Sequence, residues 1–201
     1  MTLCICGCSS NEGDVIIAVN TGLLSNRVGY FTDSKGNFIF NKQFDGVSCF
    51  SNGLAEVEQN GNWGFINTKG DIVIPCIYDC TNRFSDALAV VRQNGSWGCI
   101  NTKGDVVVPF VYDDIREFSE GLAAVEKNGK WGFVNAEGEV AILCIYDDAS
   151  IFSAGLAAVE QNDKYGFINS KGRIVVPCVY DLQVDFPTVL LLLNKMINMV
   201  L

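Results

Sequence analysis

The sequence contains no histidine. That absence removes the usual general base near neutral pH, the basic member of Ser-His and Cys-His nucleophile pairs, and the commonest zinc ligand. Basic residues are scarce too, with 14 Lys and Arg against 23 Asp and Glu for a net charge of −9. Phosphate backbones and anionic lipids are held by clustered Lys and Arg, so no nucleic acid partner is expected. GxGxxG, GxxxxGKS/T and GxSxG are all missing, and with them the loops that cradle phosphates or present a nucleophilic serine. Ser-Lys and paired-carboxylate chemistry are the enzymatic routes left open. The most apolar stretch, VDFPTVLLLLNKMINMVL from Val184, is interrupted by Asn194 and Lys195. It is too short and too broken to cross a bilayer, which takes about 20 apolar residues, so no transmembrane segment is expected.

What the sequence does have is self-similarity. NGNWGFINTKGDIVIPCIYD, NGSWGCINTKGDVVVPFVYD, NGKWGFVNAEGEVAILCIYD and NDKYGFINSKGRIVVPCVYD begin at Asn60, Asn94, Asn128 and Asn162, each 34 residues after the last. Phe50, Phe84, Phe118 and Phe152 keep the same step, as do Leu54, Leu88, Leu122 and Leu156. Gly36 precedes Gly70 by one period, so VGYFTDSKGNFIF from Val28 is a worn first copy. A fixed period of this length marks a repeat architecture in which each unit buries its apolar face against its neighbours.

Each unit carries three strand signals. In LAEVEQ, from Leu54, alternation sets Leu54, Glu56 and Glu58 on one half-exposed face and Ala55 and Val57 on the other. Asn60-Gly61 supplies the two positive φ angles of a type I′ hairpin turn, and WGFIN follows. Gly70 then provides the left-handed residue of a three-residue hairpin with a G1 bulge. The third strand, IVIPCIY, contains Pro75, matched by Pro109 and Pro177 and replaced by Leu143. A proline cannot donate to a ladder, so this strand is expected at a sheet edge or in a bulge. Asp79, Asp113, Asp147 and Asp181 close the units, where each is expected to bond its own downstream backbone as an Asx turn rather than to bind calcium.

The expected fold is all-β: tandem three-stranded antiparallel meanders stacked in an open, solenoid-like array, with propeller-like closure as the alternative. Residues 28–181 form the array, 1–27 a tether with a first strand, and 182–201 a hydrophobic cap or a decayed sixth unit.

Trp63-Gly64, Trp97-Gly98 and Trp131-Gly132, with Tyr165-Gly166 as a variant, recur with Tyr78-Asp79, Tyr112-Asp113, Tyr146-Asp147 and Tyr180-Asp181. Joined at one spacing by an Ile/Val-Asn, a glycine and a proline, these pairs give the chain a close resemblance to the WG-repeat family of bacterial proteins. The resemblance implies an interaction module with no catalytic residues and no cofactor. The aromatic positions themselves read as core, since aromatics at constant repeat positions pack between units.

MTLCICGCSS resembles the processing site of a bacterial lipoprotein, with Cys8 as the lipidated residue and a polar stretch after it; CxCxC is an awkward spacing for tetrahedral zinc, so no metal is expected. Cys76, Cys144 and Cys178 share one repeat position with Phe110 and read as apolar core; Cys49, Cys80 and Cys99 show no pairing logic. The sequence therefore points to a non-catalytic binding or scaffolding module for a protein or cell-surface polymer, located in the cell envelope or else in the cytoplasm. A cell-envelope spacer is the second reading and a histidine-free enzyme the third.

Overall fold

The structure is a computed structural model. It describes residues 4–9, 15–21, 28–85 and 87–181, the first of these segments through its backbone alone. Every regular element among them is a β-strand. β1 (Cys4–Ser9), β2 (Val15–Thr21) and β3 (Val28–Thr32) make an antiparallel N-terminal sheet. The first full unit follows as β4 (Gly46–Val47), β5 (Leu54–Gln59), β6 (Asn62–Asn67) and β7 (Ile72–Tyr78). The second is β8 (Cys80–Thr81), β9 (Leu88–Gln93), β10 (Ser96–Asn101) and β11 (Val106–Tyr112). The third is β12 (Asp114–Ile115), β13 (Leu122–Lys127), β14 (Lys130–Asn135) and β15 (Val140–Tyr146). The fourth is β16 (Asp148–Ala149), β17 (Leu156–Gln161), β18 (Lys164–Asn169) and β19 (Ile174–Tyr180).

Each unit is thus a four-stranded antiparallel sheet with its strands in chain order, not three-stranded. The added strand is only two residues long and pairs with the hairpin behind it, as in Gly46↔Glu58 and Val47↔Val57. Two residues carry no alternation, which is why the pattern of the sequence does not show it.

The hairpins follow the turn chemistry. Asn60 and Gly61 take φ of 54° and 78°, and the same pair of positive angles recurs at Asn94-Gly95 and Asn128-Gly129. In the second turn Gly70 sits at φ 80°, and the Asn67 side chain accepts from the Lys69 and Asp71 amides at 2.9 and 3.0 Å. The Asx turn therefore belongs to the asparagine that ends β6.

The third strand bulges. β6 and β7 pair at Trp63↔Tyr78 and next at Phe65↔Ile74, so two residues of β6 span the distance covered by four of β7. The same shift appears in all the other units. Pro75, Pro109 and Pro177 lie inside this bulge, on the last strand of their sheets, where no ladder donor is lost. Leu143 occupies the identical place in β15, so Leu143→Pro is expected to shift the unfolding free energy by less than about 1 kcal/mol in a denaturant melt, against about 3 kcal/mol for a central donor.

The core is built between sheets. Phe65, Ile74 and Tyr78 of the first unit pack on Phe84, Ala89, Val91 and Ile100 of the second. Val90, Cys99, Val108 and Tyr112 do the same against Ile115, Ala123, Val125 and Val134, and the third unit repeats it on the fourth. The N-terminal sheet joins the series through Phe31, Phe40 and Phe44 against Val47, Val57 and Ile66. Successive units are therefore stacked face to face in an open, solenoid-like array. Both faces of the LAxV strand are covered as a result, and Glu56, expected on a half-exposed face, is 7% exposed. The expected C-terminal cap at 182–201 lies outside the described residues.

The loop between the short first strand and the hairpin makes its own two-residue turn, with φ 51° and 77° at Asn52-Gly53. Gly121 and Gly155 hold the second position in the third and fourth units, but the second unit has Ala87 there, at φ 66°. A Cβ in this region costs about 1–2 kcal/mol. Ala87→Gly is accordingly expected to raise the unfolding free energy by about 1 kcal/mol, read as a higher denaturant midpoint; an unchanged or lower midpoint contradicts the strain.

Candidate functional site

The signature residues fall on or beside the second hairpin of each unit. Each WG aromatic faces the tyrosine of its own third strand, in the pairs Trp63↔Tyr78, Trp97↔Tyr112, Trp131↔Tyr146 and Tyr165↔Tyr180. Trp131 is buried and the half-buried Trp97 packs on the core between the second and third units, whereas Trp63 and Tyr165 are half-buried outside the core clusters, so the aromatic positions are core only in part. The Arg116 guanidinium lies 4.2 Å over the Trp131 ring, pairs with Asp148 at 2.8 Å and donates to the Ala149 carbonyl, tying the third unit to the fourth. The Tyr165 hydroxyl donates to Glu160, whose carboxylate pushes the tyrosine pKa up.

The glycines are required by the bulge. A Cβ on Gly64 would come within 2.6 Å of the Ile74 carbonyl oxygen, and one on Gly98 equally close to that of Val108; on Gly132 and Gly166 the distance to the oxygens of Ile142 and Val176 is 2.5 Å.

Asp79, Asp113 and Asp147 bond not their own downstream backbone but the next unit, and the backbone after Asp181 lies outside the described residues. Asp79 accepts the Gly95 amide at 2.9 Å, Asp113 the Asn128 amide at 2.6 Å and Asp147 the Asn162 amide at 2.9 Å. Each one thus fastens the tip of the following unit's first hairpin, a partner some 15 residues on that a local motif does not reveal. Asp147 and Asp181 also pair with Lys130 and Lys164. Lys130, together with the Asn162 amide, holds the Asp147 carboxyl below its ordinary pKa. Among the described residues no group of three or more His, Cys, Asp and Glu is arranged to hold a metal ion, and no helix is long and apolar enough to cross a membrane. Cys8 lies in β1, its backbone paired with Ile16. Cys76, Cys80, Cys99, Cys144 and Cys178 are free thiols, and burial pushes Cys99 up to about 12. Cys49, by contrast, is disulfide-bonded, which its sequence context does not suggest.

Two surface features remain after the packing is accounted for. The first is the row of third strands: Ile77, Val111, Ile145 and Val179 are 45–59% exposed, and Leu143 reaches 70%. The second is a cleft of 510 Å³ lined by residues of the first three units, with Glu56, Thr81, Arg83 and Phe118 among its walls. Thr81 Oγ1 donates to Glu56 Oε1 at 3.1 Å. Burial pushes the Glu56 carboxyl above its ordinary value, against the opposing pull of hydrogen bonds from Ser48 and Thr81 and of the Arg83 charge.

The second unit differs from the others in a way that shapes this cleft. It has Cys99 where Phe65 and Phe133 stand, and Phe110 where Cys76 and Cys144 stand. The ring has moved from one sheet face to the other, where it meets Tyr78 at 6.2 Å between centroids. Phe84 and Phe152, each packed at 4.8 Å on a phenylalanine of the preceding unit, are buried. Phe118 packs in the cluster that has only Cys99 at that place, and it stays half-buried.

These features define an all-β tandem-repeat protein whose units are linked in series by sheet-on-sheet packing. Its repeats match the WG containing repeat model at residues 31–63, 63–97, 97–131, 131–165 and 165–182, and the chain belongs to that family. No curated protein matches the chain. Fourteen chains of solved structures do. One is the crystal structure of Kluyvelomyces marxianus Hsv2, with a TM-score of 0.46 and 11% identity over 80% of this chain and 60% of that one. The chain thus spans 60% of the length of that structure.

Proposed function

We propose that the chain is a non-catalytic interaction module that meets its partner, a protein or cell-surface polymer, along the row of third strands. One observation carries the reading: every unit turns apolar side chains outward at the same place, on the last strand of its sheet. Contiguous exposed apolar surface on a soluble chain marks contact sites, and a 34-residue repeat multiplies one contact into a long surface. Pro75, Pro109 and Pro177 interrupt the free edges, which blunts strand addition between copies and leaves side-chain contact as the mode of recognition. The histidine-free composition supports the absence of turnover. Cys8 in its lipoprotein-like context and the disulfide at Cys49 support an extracytoplasmic location, since disulfides persist in oxidising compartments.

The test is photo-cross-linking in cells from a probe placed at Leu143, with a probe at the Lys69 turn as control. A discrete adduct from position 143, absent from position 69 and lost in an Ile77→Asp, Val111→Asp, Ile145→Asp variant that melts like the parent, is the expected result. A spacer would give no discrete adduct from either position, and that outcome sinks the reading.

A further inference from the structure

We propose that the cleft containing Glu56 binds a primary ammonium group carried on an apolar stem.

The repeat provides its own reference for what an unspecialised unit looks like here. The column of Glu56 continues as Val90, Ala124 and Ala158, and the column of Thr81 runs Val47, Ile115 and Ala149. Every one of those equivalents is apolar and buried. The first and second units thus each carry one polar residue where packing elsewhere takes a methyl, isopropyl or sec-butyl group, and the two meet across the boundary at 3.1 Å. A glutamate that is 7% exposed destabilises a fold unless something recovers the lost hydration of its carboxylate, so its presence calls for a role that packing does not supply.

Its partners leave it incomplete. Ser48 and Thr81 donate neutral hydroxyls, and a carboxylate has about four acceptor positions. The ion pairs among the described residues are Arg116–Asp148, Lys130–Asp147 and Lys164–Asp181, and Glu56 is in none of them. The exposed Arg83, whose charge acts on Glu56 without forming an ion pair with it, is the one basic residue of the lining, against the two carboxylates of Glu56 and Glu117. A buried carboxylate with spare acceptors and no cation in contact is the complement of an ammonium group. Leu88 and the half-buried Phe118 ring line the same cleft and suit a chain of methylenes. At 510 Å³ the cleft falls within the usual size of small-ligand sites, about 300–1,000 Å³.

A lysine side chain on a peptide and a free alkylamine share this chemistry, and two probes separate them. Calorimetric titration of the full chain would use n-pentylamine and Nα-acetyl-lysine N-methylamide, with 1-pentanol and pentanoate as the neutral and anionic counterparts. At least one amine is expected to bind while both counterparts fail; binding of the lysine derivative alone marks a peptide source, and of pentylamine alone a free amine. Glu56→Gln should weaken that binding about tenfold or more. Glu56→Val, which installs the residue of the second unit, should abolish it with an unchanged or higher melting temperature, showing that the fold is intact. The proposal is overturned if neither amine binds at millimolar concentration, if pentanol or pentanoate binds as well as the amines, or if Glu56→Gln retains full affinity.

Discussion

Phe133→Ala is expected to lower the unfolding free energy by about 3–5 kcal/mol, the range for deleting a buried aromatic ring. Phe133 has no exposed surface and meets the Phe152 ring edge-on at 4.8 Å, across the boundary between the third and fourth units. In a serial array each sheet is held only by its neighbours, so the loss falls on an interface and on the unit beyond it, not on a shared core. The fourth unit should therefore lose hydrogen-exchange protection before the first. Guanidinium denaturation gives the magnitude and exchange gives the order; a change under about 1 kcal/mol, or uniform loss of protection, would contradict the packing scheme. The corresponding cysteine is a useful comparison. Cys99 is also fully buried, but its interface is completed by Tyr112 and the half-buried Trp97, so Cys99→Ala should cost much less.

Much of the array is legible in the sequence because its determinants are local. Asn-Gly and the glycine four residues before Ile74 fix both hairpins through φ alone, and the recurrent proline marks a bulged strand at the edge of its sheet. What alternation misreads is the environment of the faces. Leu54, Glu56 and Glu58 look like a solvent face in isolation, yet stacking covers that face from the next unit and buries Glu56. The signal that finds Glu56 is a comparison down the repeat, where it stands against Val90, Ala124 and Ala158. The exchange of Cys99 and Phe110 is visible in the same way, although its consequence, a half-buried Phe118 beside a cleft, needs coordinates. Asp79, Asp113 and Asp147 are misread for a different reason: a side chain that fastens a hairpin some 15 residues away leaves no local pattern.

Gly132→Ala is expected to cost about 3 kcal/mol or more, and Gly129→Ala only about 1–2 kcal/mol, although the two glycines are three residues apart on the same hairpin. Gly129 needs a glycine for its φ of 71° and has no atom within 4 Å of a would-be Cβ, so alanine there meets only the left-handed strain. At Gly132 no positive φ is required. Its added Cβ would instead lie 2.5 Å from the Ile142 oxygen and 2.6 Å from the Leu143 carbonyl carbon and the Cys144 nitrogen. These are backbone atoms of the bulge, held by the pairs Trp131↔Tyr146 and Phe133↔Ile142 on either side, and no side-chain rotation relieves them. Overpacking that forces the backbone to move costs about 1–3 kcal/mol and sometimes more, and here the flanking aromatic pairs must move with it. The Trp-Gly dipeptide is therefore explained by a strand that folds over the glycine while the aromatic beside it packs against that strand's tyrosine. Denaturant midpoints for the two single variants decide the matter: equal costs at 129 and 132 would mean that the bulge yields freely and that the glycine of the repeat has some other cause.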